Sequence, residues 1–136
     1  MKSELVWEKG LEFTAKGESG HRLTMDVAPE SGGKDRGARP MELLLHGTAG
    51  CSAIDIVLIL KKMKAELEDF RMEVEASRAE QYPQRFTKIK LHYFLQGKGL
   101  TDKNVKRAIE LSLDKYCSAV NSLNAEIEYT YQFSNG

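Results

Sequence analysis

Only two cysteines, Cys51 and Cys117, occur in the 136 residues. Two thiols make a poor disulfide framework, and without paired histidines they are too few for a structural zinc site. An excess of either charge is missing too: 20 basic side chains balance 20 acidic ones, and no basic run is longer than Lys61–Lys62. No long-range field therefore favours nucleic acid or anionic lipid, and no nucleic-acid or membrane partner is expected. The first ten residues, MKSELVWEKG, lack the apolar core and small-residue cleavage site of a signal peptide, so the expected address is the cytoplasm. No repeat, no low-complexity segment and no strand–GxGxxG–helix context is found, which removes solenoids and nucleotide loops. His21, His46 and His92 show no ligand spacing, and no metal site is expected. Tyr93, Tyr129, Tyr131 and Phe133 share the apolar parity of their strands and accompany no basic patch, so they read as core rather than as a base-stacking platform.

What is present is one long apolar stretch, Arg39 to Leu60, RPMELLLHGTAGCSAIDIVLIL. Pro40 suits a first helical position and Glu42 follows in the first turn, where the helix dipole favours an anion. Apolar residues from Leu43 to Leu60 fall on nearly every side, which predicts a helix buried all round. A bilayer span needs about 20 apolar residues. Glu42, His46 and Asp55 interrupt this one, Gly47 and Gly50 weaken it, and KKMK leads straight into amphipathic sequence. It is read as the core helix of a soluble domain.

Around this helix the chain alternates. Leu5 and Trp7, then Leu11 and Phe13, predict a hairpin about Gly10, and Leu23, Met25 and Val27 a third strand. The segment APESGGKDRGAR, Ala28 to Arg39, is glycine-rich and aperiodic, and is predicted to be a mobile connector. Met72, Val74 and Ala76 pair by pattern with Ile89, Leu91, Tyr93 and Leu95 across a Tyr82–Pro83 turn. Thr101 and Asp102 start a helix whose apolar face runs Val105, Ile109, Leu113, Cys117 and Val120, and Ile127, Tyr129, Tyr131 and Phe133 form a last strand. The order β-β-β-α-β-β-α-β in one domain, residues 1–136, predicts an antiparallel α+β fold with helices on one face of the sheet.

Cys51 sits one turn after Gly47 and Thr48 and one turn before Asp55, on a face that another helix can approach closely. Cys117, on the second helix, is the natural candidate to meet it, although a free cysteine is often an inert small hydrophobe. His46 lies roughly 140° around the helix from Cys51 and is a poor base for it. Asp55 opposes ionisation of a nearby thiol unless a cation compensates. Arg22, Arg36 and Arg39 are the upstream candidates for that cation.

PMELLLHGTAGCSAIDIV, Pro40 to Val57, together with KYCSAVNSL, Lys115 to Leu123, resembles the OsmC/Ohr family of thiol-dependent hydroperoxide reductases, in particular its short branch. The resemblance covers the whole chain. It implies an intertwined homodimer with antiparallel sheets around two central helices, in which Cys51 is the peroxidatic thiol and Cys117 the resolving one. Organic hydroperoxide would be the substrate and a dithiol, lipoyl in kind, the reductant, with no metal or organic cofactor. The family supports its thiolate with a glutamate ten residues before the first cysteine and with an arginine. Here that position is Met41 with Glu42 beside it; no residue matches the family arginine, and Arg22 is the candidate for its place. Without a cation, Cys51 is expected to react slowly at neutral pH. The alternative implied is a catalytically weak dimer of this fold that binds an apolar small molecule or serves as an accessory module.

Overall fold

Gly10, at φ +56°, makes the first turn of the chain, and the Trp7 indole N–H donates to its carbonyl across 2.8 Å. On either side of the turn lie β1 (Ser3–Lys9) and β2 (Glu12–Gly17), and β3 (Arg22–Met25) completes an antiparallel sheet in the order β1-β2-β3. The structure is a computed structural model describing residues 1–136, and it divides into two units, Met1–Leu44 and Leu45–Gly136.

In the first unit the expected mobile connector is instead folded around one carboxylate. Asp26 is 2% exposed; its Oδ1 accepts from the amide of Val27 at 2.7 Å, and its Oδ2 from those of Lys34 at 3.2 Å and Arg36 at 3.1 Å. These amides, Val27 foremost, hold the carboxyl below its ordinary value. A 3-10 turn spans Pro29–Ser31, and Ala38 bridges back to Met25. Gly33 and Gly37 are required by close approach: a Cβ would stand 2.0 Å from the Val27 carbonyl oxygen and 2.3 Å from that of Thr24. Aperiodicity concealed this order, because a carboxylate collecting amides eight and ten residues away leaves no periodic trace.

α1 (Pro40–Lys62) begins as expected at Pro40, and Glu42 closes its first turn by accepting from the Arg39 amide at 2.9 Å. In the second unit β4 (Glu66–Arg78) and β5 (Phe86–Lys98) form the predicted antiparallel hairpin. α2 (Asp102–Leu111) opens with a capping box, in which Asn104 N–H donates to Thr101 Oγ1 at 3.0 Å and Thr101 N–H to Asn104 Oδ1 at 2.8 Å. A one-turn helix, α3 (Ser118–Asn121), leads to β6 (Glu126–Asn135). The sheet order is β4-β5-β6, so β5 is central, and Ile89, Leu91 and Tyr93 on its inner face are fully buried. The α+β class and the element order are those expected. The strand direction is corrected at one pair: β6 runs parallel to β5, because a helical crossover rather than a hairpin joins them.

Two further expectations are corrected. α1 is not buried all round within this chain; only the i,i+4 row Thr48, Ser52, Ile56, Leu60 is. Ile54 is 64% exposed, Leu58 54% and Val57 44%, although by length and composition the helix could cross a membrane. The second predicted helix is not continuous. A π-helical turn occupies Ser112–Tyr116, and Cys117 is extended at φ −73° and ψ 98°. The predicted apolar face nevertheless holds, with Val105, Ile109, Leu113, Cys117 and Val120 all buried.

Candidate functional site

The inner row of α1 meets the C-terminal end of α2 through small polar residues. Ser52 Oγ lies 2.9 Å from Ser112 Oγ and 2.7 Å from Tyr93 Oη, and Ser112 Oγ donates to Asp55 Oδ2 at 3.1 Å. The direction of this chain follows from counting protons. A carboxylate only accepts and each hydroxyl has one hydrogen to give, so donation runs Tyr93 to Ser52 to Ser112 to Asp55. Burial pushes the Tyr93 phenol up to about 12, against the opposing effect of the Ser52 bond, which keeps it a neutral donor. Close approach is expected on the face of Gly47 and Thr48; Thr48 makes it, together with Ser52, whereas a Cβ on Gly47 or Gly50 would meet open space.

Three ligating atoms gather at the end of the chain of hydroxyls: the Cys51 and Cys117 sulfurs and an Asp55 carboxylate oxygen all lie within 4.8 Å of one another. Cys51 and Asp55 are one turn apart on α1, and both are half-buried. Cys117 arrives from the other side because the π turn and the extended break carry it inward. Its S–H points to the Thr48 carbonyl at 4.0 Å, and its sulfur accepts from the Val120 amide at 3.4 Å, capping α3. Burial pushes this thiol up to about 11, countered by the Val120 amide and reinforced by Cys51 and Asp55. Both cysteines are free.

The arginines and Glu42 singled out in the sequence have these surroundings within the first unit. Arg36 pairs with Glu12 at 3.0 Å, and Arg39 with Asp35. Arg22 is exposed on β3, and Glu42 caps α1. None of the ion pairs involves Asp55, whose partner is Ser112. His46 is exposed on α1, His21 bonds Ser19, and His92 bonds Thr130 and Gln132. Ser52, Ser112 and the Tyr93 hydroxyl were missed by sequence reasoning. The legible signal was a serine interrupting the row Thr48, Ile56, Leu60 at four-residue spacing, where an apolar residue would ordinarily stand. Ser52→Ala would leave the Tyr93 and Ser112 hydroxyls short of a buried partner, a loss of about 1–3 kcal/mol. Denaturant titration should show it as a lower midpoint with an unchanged slope.

A pair of convergent thiols between a long helix and a broken one, set on a mixed sheet, defines a thiol-centred α+β protein. The profile of the family described as OsmC-like protein matches residues 32–132, more than half of the chain, and the chain belongs to that family. Protein YhfA of Escherichia coli (strain K12) is 38% identical over 133 residues, covering 98% of this chain and 96% of its own. The crystal structure of a hypothetical protein from Aquifex aeolicus VF5 superposes with a TM-score of 0.80 at 30% identity, covering 98% of this chain and 96% of the other. An organic hydroperoxide resistance protein OsmC from Legionella pneumophila shares the fold, with a TM-score of 0.73 at 20% identity over 96% of this chain and 95% of the other.

Proposed function

We propose that this OsmC-like protein is a thiol-dependent organic hydroperoxide reductase in which Cys51 attacks the peroxide and Cys117 resolves the product. The observation that carries the reading is the convergence of the two sulfurs from positions 66 residues apart. Their exposure supports these roles. Cys51 is half-buried, whereas Cys117 is 0% exposed and lies within 4.8 Å of the Cys51 sulfur. The Cys51 thiolate displaces alcohol from ROOH, with one proton taken up, leaving Cys51–SOH. Cys117 then displaces water from that sulfur to give the disulfide, and a dithiol such as a lipoyl group returns both sulfurs to thiols. The cytoplasm, where thiols are kept reduced, suits such a cycle.

A second copy of the chain is the proposed cover for the outer face of α1, since Ile54, Val57 and Leu58 form an apolar strip that this chain leaves in water. The same strip favours an organic over an inorganic peroxide. The test is consumption of cumene hydroperoxide by the purified protein with dihydrolipoamide. Turnover above the dithiol background, and faster than with hydrogen peroxide, is expected. Turnover no better than background would sink the reductase and leave the reading of an accessory or apolar-ligand module.

A further inference from the structure

We propose that the reduced protein binds one thiophilic divalent cation, of the Zn²⁺ class, through Cys51, Cys117 and Asp55, with a fourth position left open. The proposal does not rest on the hydroperoxide reading, because it concerns binding rather than turnover. Disulfide exchange needs only the two sulfurs. The carboxylate beside them has no part in that exchange and takes part in none of the ion pairs. A divalent ion makes the same three groups one donor set, its charge offsetting that of the two thiolates and leaving the carboxylate to complete the binding.

The geometry is within reach. The three donor atoms already lie within 4.8 Å of one another. Zinc takes sulfur at about 2.3 Å and carboxylate oxygen at about 2.0–2.2 Å, which places tetrahedral sulfurs roughly 3.8 Å apart, so closure by at most about 1 Å suffices. Asp55 is also oriented for the task. Ser112 donates to its Oδ2 at 3.1 Å, and the hydroxyls of Ser52 and Tyr93 stand behind Ser112. A bond of this kind fixes a carboxylate, in the manner of the outer-shell bonds that hold metal-binding carboxylates, and leaves it lone pairs for the ion. Two sulfurs and one oxygen select Zn²⁺ or Co²⁺ over Mg²⁺ and Ca²⁺, and a site with three protein ligands keeps one position for water or another donor. Uptake of M²⁺ releases the two thiol protons and changes no oxidation state.

The site and the disulfide exclude one another, because both use the same sulfurs. Metal occupancy would therefore hold the pair reduced, and oxidation would expel the ion. Co²⁺ is the probe, added to fully reduced protein without oxygen. The expected result is one Co²⁺ per chain, a thiolate-to-cobalt charge-transfer band, displacement by Zn²⁺, and no binding to the disulfide form. Cys51→Ser should lose the band, and Asp55→Asn should weaken binding at least ~10-fold, since even outer-shell losses cost 10–100-fold. Both positions are half-buried, so these variants test the site even if Cys117→Ser fails to fold. Absence of the band at stoichiometric Co²⁺, or an Asp55→Asn protein that binds like the parent, would overturn the proposal. A protein without peroxide turnover that binds Co²⁺ in this way would sink the reductase alone, and an active protein that binds none would sink the metal site alone.

Discussion

Cys51→Ser is expected to bring hydroperoxide turnover down to the dithiol background, a loss on the order of 10³-fold or more, because no other thiol is open to the substrate. Cys117→Ser should behave differently. It keeps the attacking sulfur, so the first turnover should proceed and the sulfenic acid accumulate, to be trapped with dimedone and weighed by mass spectrometry. The resolving step carries its own signature. With the Cys117 thiol pushed up to about 11, chiefly by burial, only a small fraction is thiolate at neutral pH. The rate of disulfide formation in the parent protein should therefore rise roughly tenfold per pH unit across the range below that value, since thiolate is the attacking form. Stopped-flow measurement of disulfide formation after a single-turnover pulse of hydroperoxide checks this. A rate flat between pH 7 and 9 would contradict the placement of Cys117 as resolving thiol.

Ile54→Glu on the outer face of α1 is expected to convert the proposed dimer of 15.3 kDa chains to monomers. Burying a large aliphatic side chain contributes about 1.5–3 kcal/mol, and a two-fold interface repeats each change, so losing it costs about 3–6 kcal/mol per dimer before the charge is counted. The dissociation constant should rise by at least ~100-fold, read by sedimentation velocity across a concentration series. Leu58→Glu, at another exposed position of the strip, should act in the same direction. Neither residue belongs to the buried row of the helix, so the fold of the single chain should survive, as circular dichroism would show. A parent protein that sediments as a monomer at all concentrations would remove the second copy from the account.

Much of the fold was legible because alternation and helical spacing are local. Leu91, Tyr93 and Leu95 announce a half-buried strand whatever lies beside it. For the same reason the pattern cannot say which way a neighbour runs, and the parallel β5–β6 pair was invisible. The broken helix did leave a trace. Val105, Ile109, Leu113 and Cys117 are spaced by four residues each time, and at 100° per residue Cys117 would end roughly 120° away from Val105 on a straight α-helix. Both are buried on one side only because the π turn at Ser112–Tyr116 takes up the drift. Three consecutive steps of four were the sign of an underwound segment.

The site was legible in its two sulfurs and in the position of Asp55, and less so in what surrounds them. Ser52, Ser112 and Tyr93 come from three separate elements, and only folding shows that their hydroxyls line up. Asp26 is a comparable case, since its partners are backbone amides that carry no residue signature. The buried state predicted for the whole of α1 failed for a different reason. An apolar helix surface indicates that it is covered, without indicating that the cover belongs to the same chain.

The most direct test of the central claim is the mass of the reduced protein after one equivalent of cumene hydroperoxide, followed by peptide mapping without reductant. The expected result is a loss of two hydrogens per chain, one Cys51–Cys117 cross-linked peptide pair, and full reversal by dihydrolipoamide. Stable addition of oxygen at one cysteine with no cross-link, or thiols left untouched by the peroxide, would contradict it.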